Sequence, residues 1–112
     1  MSITQNPPDL LRGTVDLLIL RTLANGALHG YAIAQRLRVV SEDVLQVGES
    51  SLYPSLQRLL LKGWVKGEWG ASENNRRARY YTITPAGKRH LAAERVEFER
   101  LLGAMVRVME QG

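Results

Sequence analysis

The chain has 112 residues, 45% of them hydrophobic, which fits one globular domain with a modest core and argues against a disordered segment. Fifteen Lys and Arg against eleven Asp and Glu leave a net charge of +4, a balance that suits a polyanionic partner. The chain has no cysteine and only two histidines, far apart in sequence, which argues against disulfides, thiol catalysis, thiolate metal sites and a histidine-based metal or catalytic centre; no cofactor is expected. The opening residues lack a signal-peptide pattern, and the longest apolar stretch, Leu17-Leu18-Ile19-Leu20, stops at Arg21, so no membrane segment and a cytoplasmic location are expected.

Pro7-Pro8-Asp9 reads as a lead-in with Asp9 as a helix cap. Leu10, Leu11, Val15, Leu17, Leu18, Ile19, Leu20 and Leu23 then populate nearly every side of a helix, which is expected to be mostly buried. Asn25-Gly26 ends it with residue types that tolerate a left-handed cap, and Ala27-Leu28 form a brief connector. His29-Gly30 opens a second helix over residues 31–40, with Ile33, Leu37 and Val40 on one face and Gln35, Arg36 and Arg38 on the other. Ser41-Glu42-Asp43 breaks that pattern, and Val44-Leu45-Gln46-Val47 reads as a short extended piece before Gly48.

A third helix begins near Ser50 or Ser51, either of which can cap it, leaving Pro54 near the first turn. Leu52, Leu56, Leu59 and Leu60 form its apolar stripe. Opposite lie Ser50, Tyr53, Pro54, Gln57 and Arg58, hydroxyl, aromatic, amide and guanidinium groups suited to phosphates and base edges rather than the Glu/Lys mixture of a solvated face.

Gly63 stops this helix. The runs Trp64-Val65-Lys66-Gly67-Glu68-Trp69 and Arg79-Tyr80-Tyr81-Thr82-Ile83-Thr84 read as strands, joined by a long polar loop over residues 70–78 that carries Asn75, Arg76 and Arg77. Alternation places Tyr81 with Ile83 in the core and Tyr80 outward, while Trp64 and Trp69 read as hairpin packing rather than a ligand cage. Thr84-Pro85 then starts a terminal helix, Thr84 as cap and Pro85 at the first helical position. Leu91, Phe98 and Met105 share one heptad position and Arg95, Leu102 and Met109 its partner, widened by Leu101, Val106 and Val108. So much apolar surface on a terminal helix favours a partner helix over packing back on its own small domain.

Three helices followed by a hairpin with a basic loop is the order of a winged helix, in which the third helix enters the major groove and the hairpin tip lies along the flanking backbone or minor groove. The fold class expected is therefore mostly α (α+β), a winged helix-turn-helix with a two-stranded wing over residues 9–84 and a C-terminal dimerisation helix over residues 85–110.

Several motifs in fixed order also resemble one family. His29-Gly30-Tyr31, Ser51-Leu52-Tyr53-Pro54-Ser55-Leu56, Gly63-Trp64, Arg76-Arg77-Ala78-Arg79-Tyr80-Tyr81 and Thr84-Pro85-Ala86-Gly87 together resemble the PadR family of bacterial transcriptional regulators, from about Gly13 to Leu91. The resemblance implies a homodimeric repressor of the family's short form. On it, Ser51, Tyr53, Pro54, Gln57 and Arg58 match the recognition helix, Tyr31 with His29 the phosphate-touching start of the second helix, and Arg76, Arg77 and Arg79 the wing. With Ser50 and Asn75 these residues are the expected contacts to double-stranded DNA. Leu91, Phe98, Leu101, Leu102, Met105, Val108 and Met109 are the expected dimer interface.

The family's ligands include phenolic acids and bulky aromatic drugs, so a small aromatic effector is an open expectation. Drug binding in a close relative uses a tryptophan in the dimer helix, where this chain has Phe98 as its sole aromatic residue. Leu60 and Leu61 stand where the family has acidic residues, which suggests extra packing at that helix end. The competing reading is a winged-helix adaptor that docks proteins and not DNA. An enzyme is the least expected class, since no nucleophile–base set, carboxylate pair or phosphate-cradling glycine loop is present.

Overall fold

The structure, a computed structural model, describes residues 9–111, with the side chains of residues 9–12 outside the description; the Pro7-Pro8 lead-in and the cap read for Asp9 fall outside it. In chain order the elements are α1 (Asp9–Leu23), β1 (Leu28–His29), α2 (Gly30–Val40), α3 (Glu49–Leu61), β2 (Val65–Ala71), β3 (Arg77–Ile83) and α4 (Pro85–Glu110).

The core gathers the apolar faces of the first three helices on the base of the sheet. Val15, Ile19, Leu20 and Leu23 from α1 meet Ile33 and Leu37 from α2, Leu52, Leu56 and Leu59 from α3, and Val65, Tyr81 and Ile83 from the sheet. The spacing of these residues is the helical and strand periodicity of the sequence, and burying them is the main favourable term in folding. Tyr81 is core, as alternation requires, and Tyr80 lies on the other sheet face, where its hydroxyl donates to the Ala71 carbonyl at 2.9 Å.

Four local readings are corrected. First, α3 begins at Glu49 with Gly48 as its cap, not Ser50 or Ser51. The chain is extended at Gly48 (φ −81°, ψ 170°), and its carbonyl accepts from the amides of Ser51 and Leu52 at 3.1 and 2.9 Å. Backbone geometry rather than a side chain thus sets the start, and Pro54 falls inside the helix, where it omits one intrahelical bond.

Second, the short extended piece read over residues 44–47 is reduced to a single β-bridge at Leu45. Glu42 and Asp43 turn the chain with positive φ (54° and 68°), and Val47 is buried in the core. Third, the connector at Leu28 is a strand: β1 pairs antiparallel with β3, Leu28 opposite Tyr81 and His29 opposite Tyr80, making a three-stranded sheet of order β1-β3-β2.

Fourth, the hairpin is longer and its tip shorter than expected. The ladder continues to Ala71 opposite Arg77, so the tip is confined to residues 72–76 and turns through Asn75 at φ 57°. Arg77 and Arg79 are therefore strand residues, and only Arg76 lies in the tip.

The two ends of the winged region are tied together at one joint. Gly63 (φ 73°) closes α3, with its amide on Leu60 O and the Trp64 amide on Leu59 O, both at 3.0 Å. Thr84 donates from Oγ1 to Gly63 O at 2.7 Å and from its amide to Trp64 O at 2.9 Å, while Oγ1 accepts from the Gly87 amide at 3.0 Å as the cap of α4. His90, one turn into α4, stacks on Trp64 with ring centres 3.5 Å apart. Trp64 thus packs on α4 as well as against the core. Leu91 also packs against the core, whereas Leu101, Leu102, Met105, Val106, Val108 and Met109 lie exposed along the rest of the helix.

Candidate nucleic-acid interface

The exposed side of α3 presents Glu49, Ser50, Tyr53, Pro54 and Gln57. Its opposite side is core, so packing fixes which residues this helix offers. Tyr53 is half-exposed at 46% and lies across Gly30 at the start of α2, where an added Cβ would sit 2.8 Å from its hydroxyl. The absence of a side chain at Gly30 lets the two helices meet there through that ring. Burial first, then the Glu49 carboxylate and Tyr81, raise the Tyr53 pKa above the ordinary tyrosine range, so the phenol is a neutral donor at physiological pH.

Two residues expected on this side are differently placed. Ser51 is 7% exposed and takes no part in the open face. Arg58 is engaged by Asp16 of α1 through Nε to Oδ2 at 3.0 Å and a second guanidinium nitrogen to Oδ1 at 2.8 Å, and this pairing raises its pKa further. Fully buried Ser55 donates from Oγ to the same Asp16 carboxylate. Sequence reading missed Asp16; its one signal is a carboxylate set within the apolar run from Val15 to Leu20. Of the two leucines at the end of α3, Leu60 packs on the core but Leu61 is 78% exposed, so the extra packing expected there comes from Leu60 alone.

His29 caps α2, its Nδ1 accepting from the Ala32 amide at 3.2 Å. Its ring lies edge-on to Tyr80 at 5.4 Å and stacks more loosely with Tyr31 at 6.5 Å. Tyr31 is among the most exposed aromatic side chains of the chain. Facing α2 and α3 is the inner side of the wing, with Trp69 opposite Arg79 in the ladder and Arg77 one step towards the tip. The three walls enclose a cleft of about 670 Å³ lined by His29, Tyr31, Tyr53, Trp69, Arg77 and Arg79 among others, with Glu73 as its acidic member.

The structure therefore brings His29, Tyr31, Tyr53, Arg76, Arg77 and Arg79 to one cleft. Ser50, Pro54 and Gln57 lie on the exposed side of the helix that supplies Tyr53, and Asn75 lies in the tip. Trp69 was not expected at this site. Among the described residues there is no group of His, Cys, Asp or Glu able to hold a metal ion, and no helix long and apolar enough to cross a membrane.

Comparison with known proteins decides what kind of molecule carries this cleft. The model of the PadR-like transcriptional regulator family matches residues 19–93. This chain belongs to the PadR-like family of transcriptional regulators. It is 34% identical over 90 residues to a transcriptional regulator of Mycobacterium tuberculosis, covering 80% of each chain. It is also similar to the solved structure of a transcriptional regulator from Clostridium thermocellum, with 31% identity, a TM-score of 0.79 and coverage of 88% of this chain and 96% of that one. A PadR-family transcription regulator from Clostridium difficile superposes with a TM-score of 0.74 at 27% identity, over 87% of this chain and 99% of that one.

Membership establishes a non-enzymatic regulator with the PadR winged helix-turn-helix fold and implies DNA binding. In this PadR-like protein the described residues form the winged region followed by one long helix, α4.

Proposed function

We propose that this PadR-like protein is a homodimeric repressor that binds an inverted-repeat operator. In this reading α3 enters the major groove, with Ser50, Tyr53, Pro54 and Gln57 towards the bases. His29 and Tyr31 meet the backbone beside it, and Asn75, Arg76, Arg77 and Arg79 hold the flanking strand. Ser51 and Arg58 are left out of the recognition set because one is buried and the other is bound to Asp16.

The observation that carries this reading is the convergence of the exposed α3 side, the α2 start and the wing arginines on one cleft of about 670 Å³. A solvated loop would scatter those charges; here three arginines face two tyrosines and a capped helix start across a shared opening. Dimerisation is supported by α4, whose Leu101, Leu102, Met105, Val108 and Met109 lie open to solvent in the single chain, next to half-buried Phe98. Two copies joined along these helices would present two recognition helices roughly one DNA turn, about 34 Å, apart. A small aromatic effector remains compatible with this arrangement and is not needed for it.

The test is the salt dependence of binding to a duplex from the protein's own upstream region. Contact with about six to eight phosphates per dimer predicts that log affinity falls with log salt at a slope of about −5 to −7. A slope near zero would falsify the reading, and retention of repression by a variant that is monomeric in solution would remove its dimeric part.

A further inference from the structure

The inner side of the wing has an unusual construction. Register and strand alternation place Gly67, Trp69, Arg77, Arg79 and Tyr81 on one side of the β2–β3 hairpin. The Arg77 guanidinium lies over the Trp69 ring, 4.5 Å from its centre. The Arg79 guanidinium lies 5.7 Å from the Tyr81 ring and crosses Gly67, where a Cβ of any residue would collide with it. Each of the two strand arginines thus has an aromatic rest, and a glycine leaves room for one of them.

Trp69 is nevertheless 62% exposed. An indole with that much open surface adds little to a core, and in the free protein it carries the Arg77 cation. An unsupported arginine on an exposed strand carries rotamer entropy that a contact must overcome. A ring beneath the guanidinium restricts those rotamers before any ligand arrives and leaves the charge unpaired by carboxylate.

We propose that Trp69 is a positioning residue for DNA: it holds Arg77 over the cleft so that the guanidinium meets a phosphate, and its open ring surface is covered when DNA enters. The proposal rests on the DNA-binding reading above and deepens it, dividing the wing into a tip arginine, Arg76, and two ring-supported arginines on the inner wall. Trp69 and Arg77 then act as one unit, whereas Arg76 acts independently.

The test measures affinity for a mixed-sequence duplex across a salt series, because phosphate contacts do not need the operator. The proteins are wild type, Trp69→Leu, Trp69→Phe, Arg77→Ala and the Trp69→Leu/Arg77→Ala double variant. Leucine keeps apolar bulk without a π face, and phenylalanine keeps the face. Trp69→Leu is expected to weaken binding about 3- to 10-fold and to reduce the salt slope by about one per wing, as Arg77→Ala does. The double variant should bind no worse than Arg77→Ala alone, and Trp69→Phe should recover most of the loss. Thermal unfolding of Trp69→Leu should match wild type, since the ring fills no core.

Additive losses in the double variant, an unchanged slope for Trp69→Leu, or equal behaviour of the Leu and Phe variants would each overturn the proposal while leaving DNA binding intact. If wild type itself binds no duplex, the underlying reading fails and the proposal with it. Independently, with Trp64→Phe leaving Trp69 as the sole tryptophan, indole emission should change on adding duplex; constant emission at saturating DNA overturns the coverage of the ring.

Discussion

Arg58 of α3 and Asp16 of α1 form a two-pronged pair, Nε to Oδ2 at 3.0 Å and a second nitrogen to Oδ1 at 2.8 Å, and Ser55 donates to the same carboxylate. Two polar groups at the α1–α3 contact, through three hydrogen bonds, depend on one acidic side chain. Asp16→Ala would leave the fully buried Ser55 hydroxyl and a partly buried guanidinium without their acceptor, a loss of about 2 kcal/mol. Urea denaturation should show a lowered midpoint at unchanged m-value. Asp16→Asn, which keeps an acceptor, should fall between the two.

Two glycines should respond differently to alanine. At Gly87 a Cβ meets the Trp64 carbonyl and Ile83 Cγ1, backbone and core that cannot yield, so Gly87→Ala should cost roughly 1–3 kcal/mol. At Gly30 the obstacle is the free end of the Tyr53 side chain, which can rotate away. Gly30→Ala should therefore melt close to wild type yet lose DNA affinity through a displaced Tyr53; equal melting losses for the two variants would contradict this assignment.

The raised pKa of Tyr53 carries a sign. The folded protein holds the phenolic proton more tightly than the unfolded chain, so this contribution to stability is complete below the ordinary tyrosine pKa of about 10 and is lost as pH rises through the raised value. Phenolate absorbance should show one tyrosine titrating late, missing in Tyr53→Phe. The stability of Tyr53→Phe should also decline less steeply in alkali than that of wild type.

For α4, Leu102→Glu places a carboxylate in the middle of the exposed apolar stripe. If that stripe joins two copies, light scattering should report a monomer at micromolar concentration, and operator affinity should fall by about 10²-fold or more through loss of the second binding arm. The helix itself should survive, since residue 102 is open to solvent in the single chain.

What the sequence made legible was periodic or local. The apolar stripe Leu52/Leu56/Leu59, the Thr84-Pro85 start of α4 and the Gly63 stop of α3 are written in neighbouring residues and recur in the structure, and of the stripe Ile33/Leu37/Val40 the first two are core while Val40 is exposed. What was missed lies in pairings across distance. Asp16 finds its partners 39 and 42 residues away, β1 is only two residues long and exists through Tyr80 and Tyr81, and the Gly48 cap uses no side chain. Of the wing arginines, Arg77 was read in the loop and stands on β3. Whether Arg77 sits in a loop or on a strand depends on how far the ladder runs, and Trp69 gains its meaning only when the register brings Arg77 over it.

Gly63 and Trp64 end α3 and, through Thr84, Gly87 and His90, also anchor the start of α4. α3 and α4 are therefore joined without slack. In a dimer built along α4, the distance between the two reading heads would be a fixed ruler rather than an adjustable calliper. An operator whose half-sites are moved apart by even one base pair, about 3.4 Å and 34° of twist, would ask the protein for a movement that this joint does not offer.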